Sequence, residues 1–454
     1  MRYLNKELVY GILLSLVVLL YLLETYGGWT SIDHYNRGVR HLNKERYDKA
    51  IAEFTKAIEL DPNNAEAYCN RGVAYNHKSE TDRAIADLSR AIDVNPRLRE
   101  AYRIRATTYG ASGQYDAAIA DLTIALEMDP RDYRAYYWRG LAYDSNGDPN
   151  HAVAAYTKAI EIAPGYAEAY DFRAAAYSQM GKYDRAISDH TKTIELNPRN
   201  ASYYYGRATA YHQKGDYDEA VRDYARTIDR DPRLGEAYWA RGTIFDLQGK
   251  TDQAILEYTK AIKVDPNLSE AYDNRGYVYI NRSDYSRAIS DYSKVIELRP
   301  EDPNAYFNRA LALDCHGKYK QAIRDYTMAI TLGLNDATVY CARGRGYLCE
   351  GEYDKAIADC TTAVELDPHC AAAYHERGIA YYRQSRYEDA LADYSRAISL
   401  EPDNAQVYVD RAGTHHSLGM YDEAWADVHK AQSLGLEIQA EFLKKLREVS
   451  GRDQ

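Results

Sequence analysis

The strongest constraint on this chain is a unit of 34 residues that repeats twelve times between residues 31 and 438 with no insertion or deletion. Within the unit, position 8 is always glycine or alanine, and position 32 is proline in ten copies, from Pro62 to Pro402. Position 20 is alanine in all twelve copies: Ala50, Ala84, Ala118, Ala152, Ala186, Ala220, Ala254, Ala288, Ala322, Ala356, Ala390 and Ala424. A strict period of this length predicts a repeat architecture, in which every copy folds in the same way and packs on its neighbours.

Each unit has the pattern of two amphipathic helices. Apolar or aromatic residues recur at positions 4, 8 and 11 and again at positions 20, 24 and 27, which is the spacing of one helix face. The small residues at positions 8 and 20 allow the two backbones to approach closely. Proline at position 32 ends the second helix, and a turn such as Asp61-Pro62 leads into the next pair. A single pair has no closed core, so neighbouring pairs have to stack.

The stretch AYYWRGLAYDSNGDPNHAVAAYTKAIEIAP, residues 135–164, carries a pattern of aromatic, glycine, tyrosine, alanine and proline positions. On these residues the chain resembles the tetratricopeptide repeat proteins, and the resemblance covers residues 31–438. It implies an all-α fold, an α-solenoid in which twelve helix-turn-helix units form a right-handed superhelix with a concave groove. The pattern departs at Leu334, which replaces the proline of repeat nine, and at His34, His41 and His415 in the terminal repeats, where atypical caps are expected.

Two segments lie outside the array, residues 1–30 and residues 439–454. Residues 8–23 are uncharged and amount to about 24 Å of helix at ~1.5 Å per residue, against a bilayer core of ~30 Å. Extended by their flanks, up to residue 29, they predict an uncleaved transmembrane anchor, with a cleaved signal peptide as the alternative. The C-terminal segment predicts an amphipathic helix that caps the last repeat, followed by a tail.

The charges around the N-terminal segment predict its orientation. Arg2 and Lys6 precede the segment, and no lysine or arginine follows it before Arg37, so the positive-inside rule places a short N-terminal stub in the cytoplasm. The prediction is a single-pass membrane protein with its repeats outside the cytoplasm, in the periplasm if the source is bacterial. Signal cleavage would instead give a secreted or periplasmic protein.

Arginine at position 7 is a second strict column. All twelve units carry it, and position 23 is acidic in eleven of them, with Ala155 as the exception. Because both positions border the packed faces of the helix pair, we predict a repeated ion pair in which the guanidinium forks onto the carboxylate. The alternative is a row of arginines that binds phosphate or an acidic ligand.

Composition and motifs argue against several other functions. The net charge of −11 and the pI of about 5.6 disfavour nucleic-acid binding, which depends on basic side chains, and most of the 46 tyrosines fall at packing positions. The sequence has no Gly-rich phosphate loop and no Cys/His metal spacing. His375-Glu376 lacks the second histidine of a metalloprotease motif, and His415-His416 fits cap packing better than a ligand site. We therefore predict no enzyme activity, cofactor, metal or small-molecule substrate.

The groove is where a function is predicted to lie, and in this family positions 2, 5, 6, 9, 12 and 13 of the first helices line it. The carboxylate clamp of chaperone-binding members is missing, since Glu100 and Ile104 occupy its two basic positions. Asparagines at position 6 are candidates for bonding a peptide backbone, and aromatic residues are candidates for anchoring apolar side chains, although packing between helices is an alternative for the rings. The candidate residues are Asn36, Asn70, Tyr137, Trp138, Phe172, Tyr205, Trp239, Asn274 and Asn308.

Taken together, these features predict a membrane-anchored scaffold that binds an extended peptide or a partner protein along the groove. Two alternatives stay open. One is an accessory subunit that selects substrates for a separately encoded enzyme, and the other is a structural assembly factor that uses the convex face.

Overall fold

The computed structural model describes residues 29–451, which form twenty-five α-helices and no strand. The all-α solenoid of helix-turn-helix units predicted from the sequence is thereby confirmed. In chain order the helices are α1 Ser31–Leu42, α2 Tyr47–Leu60, α3 Ala65–His77, α4 Thr81–Val94, α5 Arg99–Ala111, α6 Tyr115–Met128, α7 Tyr133–Ser145, α8 Pro149–Ile162, α9 Ala167–Gln179, α10 Tyr183–Leu196, α11 Ala201–Lys214, α12 Tyr217–Arg230, α13 Gly235–Leu247, α14 Thr251–Val264, α15 Ser269–Asn281, α16 Tyr285–Leu298, α17 Pro303–Cys315, α18 Tyr319–Thr331, α19 Ala337–Cys349, α20 Tyr353–Leu366, α21 Ala371–Arg383, α22 Tyr387–Leu400, α23 Ala405–Ser417, α24 Tyr421–Ser433 and α25 Ala440–Ser450.

The turn between the two helices of a unit is made at position 15, which has a left-handed backbone in all twelve units. Eight units have glycine there, with φ between 68° and 91°. The other four have Glu45, Ser79, Ser283 and Ser385, with φ between 54° and 62°. A residue with a Cβ atom pays roughly 1–2 kcal/mol for this conformation, which explains why glycine predominates.

Packing inside each pair depends on the small residues at positions 8 and 20. Every position-20 alanine is at most 1% exposed, and position 24 of the second helix is buried in all twelve units. In repeat four the ring of Tyr156 at position 24 lies so close to Gly140 at position 8 that a Cβ atom on this glycine would be 2.5 Å from the ring. In repeat two, a Cβ atom on Gly72 would be 3.2 Å from the carbonyl oxygen of Ala84, so the close approach predicted for positions 8 and 20 is present.

The two units that lack proline at position 32 end their second helices in another way. Leucine replaces proline at Leu334 and Leu436, and there α18 and α24 have 13 residues where most second helices have 14. Each is followed by a glycine with a left-handed backbone, Gly333 with φ 101° or Gly435 with φ 86°. Such a glycine ends a helix without proline, because it is the residue that most easily adopts the left-handed conformation.

The chain divides into two compact units, residues 1–226 and residues 227–454. In the second, α25 follows the last pair and packs against it. Leu446 of α25 is fully buried, and it belongs to a cluster with Tyr408, Trp425 and Val428. The indole nitrogen of Trp425 also donates to the hydroxyl of Ser450, at 3.1 Å.

The structure contradicts the predicted single-pass localisation. Among residues 29–451, no helix is both long enough and apolar enough to cross a bilayer. The longest have 14 residues, or about 21 Å at ~1.5 Å per residue, whereas a span needs ~30 Å. Residues 8–23, on which the anchor prediction rested, lie outside the described part of the chain.

Candidate interaction site on the first helices

The side chains at positions 2, 5, 6, 9, 12 and 13 of each unit form what we call the first-helix face. Helix α7 shows how it arises. The small residues Ala135, Gly140 and Ala142 are buried against neighbouring helices, whereas Trp138 at position 6 keeps 38% of its surface exposed. Some side chains of the first-helix face, such as Trp138, therefore remain partly exposed after the helices have packed.

Four of the predicted aromatic residues lie in the first compact unit, and in one cluster Trp138 and Phe172 each contact Tyr137. The ring of Tyr137 packs edge-on against Trp138, Tyr166 and Phe172, with centroid distances of 5.5, 5.2 and 5.7 Å. Tyr137 itself is buried, and this burial raises the pKa of its phenol. Trp138 is consequently the exposed edge of an aromatic cluster, which it contacts through the ring of Tyr137. Tyr205, the fourth residue, packs edge-on against Tyr224, at 5.6 Å.

Trp239 lies in the second compact unit, is partly buried, and packs on one side against buried residues. Its ring contacts a cluster of buried residues made by Ala254, Tyr258 and Val278. The indole nitrogen is buried and has no hydrogen-bond partner among the described residues. The alternative considered for the aromatic residues, packing between neighbouring helices, thus accounts for much of this ring.

The predicted asparagines differ in whether their amide side chains interact with other side chains of the same chain. Asn36 is exposed. Asn70 donates to the hydroxyl of Tyr35 at 3.0 Å, and Asn274 donates to that of Tyr258 at 3.4 Å. Asn308 faces Asp273, whose pKa is raised by burial, a shift that the Asn308 amide partly opposes. Except for Asn36, these amides are held in fixed orientations by neighbouring side chains.

Two side-chain pairs join charged residues on the first-helix face of repeats nine to twelve. Arg345 forms an ion pair with the buried Asp314, and the ring of His375 is 2.7 Å from the carboxylate of Asp410. Burial raises the pKa of the Glu376 carboxyl, which lies between these two pairs. Arg345 and His375 are therefore already engaged by carboxylates of their own chain.

The arginine ladder predicted from positions 7 and 23 is present. Nine arginines donate from Nε and Nη2 to both oxygens of an aspartate 16 residues later, over distances of 2.6–3.0 Å: Arg71, Arg105, Arg173, Arg207, Arg275, Arg309, Arg343, Arg377 and Arg411. Arg241 donates to one oxygen of Glu257, and Arg37 lies 3.8 Å from Glu53. Such forked, charge-assisted pairs are the strong class of ion pair.

A third column completes the ladder, and the sequence analysis missed it. Position 25 is threonine or serine in ten units, and its hydroxyl accepts from Nη1 of the arginine in the following unit. Arg173, for example, donates to Thr157 at 2.9 Å, and Arg377 donates to Thr361 at 3.1 Å. The hydroxyl column was visible in the sequence, but it becomes meaningful only when its place beside the next arginine is known.

The described residues contain no group of three or more His, Cys, Asp and Glu side chains placed to hold a metal ion. Burial raises the pKa of the Cys69 and Cys341 thiols to about 12, so neither is a thiolate near neutral pH.

Comparison with protein families places the same repeat along most of the chain. Tetratricopeptide repeat models match residues 38–78, 65–98, 105–167, 173–232, 242–282, 276–313, 303–343, 337–370 and 371–404. No curated protein matches the sequence.

Solved structures with similar helices include MamA, with 32% identity over 37% of this chain and 97% of that chain and a TM-score of 0.35. YrrB, described as a TPR protein with an unusual peptide-binding site, has 24% identity over 39% of this chain and 92% of its own, with a TM-score of 0.36. Yeast Tom70 has 14% identity over 94% of this chain and 97% of its own, with a TM-score of 0.36.

Proposed function

Tetratricopeptide repeats are present across this chain, and on that premise we propose that it is an interaction scaffold that holds an extended peptide or a partner protein on its first-helix face. One observation carries the proposal. Trp138 keeps 38% of its surface exposed while its ring packs edge-on against the buried Tyr137. A tryptophan that is already immobilised loses little side-chain entropy when a partner covers it, and such residues are frequent binding anchors.

Other exposed side chains on the same face support the proposal within each compact unit. In the first unit, Asn36 is exposed, and so is Ile32, at position 2 of the same helix. In the second unit, Tyr277 at position 9 of α15 is 56% exposed and lies one turn beyond Asn274. Exposed rings beside amide side chains suit a peptide, since the rings contact apolar side chains and the amides bond the backbone.

A photo-crosslinking experiment tests which face binds. Benzoylphenylalanine replaces Trp138 in one variant and Tyr277 in another, each is irradiated in cell extract, and adducts are identified by mass spectrometry. The matched controls lie on second helices: Leu196, 38% exposed, for Trp138, and Leu256, 53% exposed, for Tyr277. We expect defined adducts from the two first-helix positions alone. Adducts from Leu196 and Leu256 alone would contradict the proposal and favour an assembly factor that uses the opposite face.

Once the partner is captured, the contribution of Trp138 to the binding affinity can be measured. Trp138→Ala should weaken partner binding by about 2 kcal/mol, or roughly 30-fold in dissociation constant, as expected for a tryptophan hot spot. Unchanged affinity would remove Trp138 from the site. Enzyme activity in the captured complex would identify the chain as an accessory subunit.

A further inference from the structure

The paired units of the arginine ladder show which groups an arginine at position 7 binds. In repeat five, Arg173 directs Nε and Nη2 onto Asp189, while Nη1 bonds Thr157 of the preceding unit. Eight further units pair an arginine with both oxygens of an aspartate in the same way. The space beside each guanidinium is therefore shaped for a carboxylate group, in a geometry that the protein repeats along its length.

Repeat four has the arginine and the hydroxyl but not the carboxylate. Ala155 occupies the acidic position, and Nη1 of Arg139 reaches the hydroxyl of Thr123 over a long 3.4 Å. The Nε–H of Arg139 is buried and has no hydrogen-bond partner among the described residues. The guanidinium still lies over the ring of Tyr136, at 5.2 Å, so its side chain follows the same course as in the other units.

The unbonded Nε–H matters because burying a donor without a partner is costly. In repeat four the carboxylate that accepts from this N–H in nine other units is missing, so nothing in the described residues compensates for its lost hydration. An anionic group with two oxygens at this position would form with Arg139 the forked ion pair that nine other units already have.

The missing carboxylate at Ala155 leaves what we call the gap in the arginine ladder. The charges around this gap also favour binding of an anion. In repeat five, a surface cavity of about 460 Å³ is lined by Arg173, Lys192, Asp189 and Glu195, two cations and two anions. The same positions in repeat four are Arg139, Lys158, Ala155 and Glu161, two cations and one anion. Lys158 pairs with Glu161 at 2.6 Å, so the excess positive charge resides on Arg139.

We propose that the gap at Ala155 is a binding site for a carboxylate group, which Arg139 receives as the other ladder arginines receive their aspartates. The carboxylate comes from an Asp or Glu side chain of a protein partner or from a small free carboxylate. The site lies at positions 7 and 23 and not on the first-helix face, so it goes beyond the function proposed above and does not depend on it.

Arginine Nε–H resonances test the proposal on the full chain. Sodium acetate replaces sodium chloride at constant ionic strength, and the ¹H–¹⁵N spectrum of the arginine side chains is followed, with Arg139 assigned by its loss in Arg139→Lys. We expect the Arg139 signal to move toward the positions of the paired ladder arginines and to saturate, while the signals of the paired arginines stay still. An Arg139 signal that does not move would overturn the proposal.

Two substitutions provide matched controls. Ala155→Asp fills the gap from within the chain, so the Arg139 signal should start at the paired position and no longer respond to acetate. Asp189→Ala opens an equivalent gap in repeat five, so Arg173 should begin to respond. Circular dichroism establishes that both variants are folded. A response to acetate that persists in Ala155→Asp would also overturn the proposal, since the ion would then bind elsewhere.

A peptide identifies the source of the carboxylate. A peptide of alternating glutamate and glycine is titrated against the same signal, with the glutamine version as control. Binding at least roughly tenfold tighter than acetate, which several linked contacts can supply, supports a protein partner. Saturation by acetate with no response to the peptide supports a small free carboxylate. No response to either contradicts the site.

Discussion

Replacing Asp189 with alanine tests how much one rung of the arginine ladder contributes to stability. Asp189 accepts two charge-assisted hydrogen bonds from Arg173, at 2.7 and 2.8 Å. Removing one partner of a buried ion pair costs roughly 3–5 kcal/mol. Here the two side chains keep 15% and 9% of their surface exposed, and Thr157 still accepts from Nη1. Water therefore replaces part of what is lost, and we expect a cost of about 2–3 kcal/mol.

A double-mutant cycle isolates the pair from its surroundings. Asp189→Ala, Arg173→Ala and the double variant are unfolded in urea, and the coupling free energy should be about 2 kcal/mol, above the ~0.2–1 kcal/mol of exposed ion pairs. Because repeat arrays can open in parts, hydrogen exchange of residues 167–200 measures the local free energy in the same variants. The coupling free energies from urea unfolding and from hydrogen exchange should have the same sign.

Repeat four supplies the control within the same chain. Arg139→Ala removes an arginine that has no aspartate, so it should cost less than Arg173→Ala by about the coupling energy. A coupling of less than about 0.5 kcal/mol between Arg173 and Asp189, the range of independent sites, would refute the reasoning. The ladder would then be a consequence of packing and not a source of stability.

Three further predictions concern other features. Ser79→Gly and Ser385→Gly should each raise the free energy of unfolding by roughly 0.5–1 kcal/mol, because both serines have a left-handed backbone; chemical denaturation measures this. Burial raises the pKa of Glu376 above its ordinary 4.5, so the folded state binds this proton more tightly and stability falls as pH rises above that value. Glu376→Gln should thus raise the urea midpoint at neutral pH and leave it unchanged below pH ~4. Trp239→Ala should destabilise the array by roughly 2 kcal/mol or more and Trp138→Ala by less than 1, since Trp239 packs against a cluster of buried residues whereas Trp138 is 38% exposed; equal losses in urea unfolding would contradict this.

Most of the fold could be predicted from the sequence, because each of its causes lies within one repeat. Alanine at position 20 and proline at position 32 define the helix pair, and the arginine and acid columns lie on facing helices of the same pair. The ends of α18 and α24 were not predicted, although Gly333 and Gly435 stand where the helices stop. Their role depends on a backbone angle that the periodic pattern does not specify.

The candidate site was harder to predict because exposure on the first-helix face depends on neighbouring repeats. Tyr137 and Trp138 are adjacent aromatic residues at positions 5 and 6, yet Tyr137 is buried against Tyr166 and Phe172, while Trp138 beside it is exposed. Which ring is covered depends on the side chains that the next unit presents. The period places a residue on the face, but it does not say how much of that residue a partner can reach.

The arginine ladder affects how a repeat protein of this kind can gain or lose repeats. Arg71 reaches back to Thr55 and forward to Asp87, each 16 residues away, so its polar partners all lie within 34 consecutive residues, one repeat length. A duplication or deletion of one whole repeat, wherever its breakpoints fall, gives each interior arginine an equivalent hydroxyl behind it and an equivalent carboxylate ahead. Recombination between repeats can therefore lengthen or shorten the array without leaving a buried arginine unpaired. The condition is that the units joined keep the arginine, the acidic residue and the hydroxyl residue at positions 7, 23 and 25.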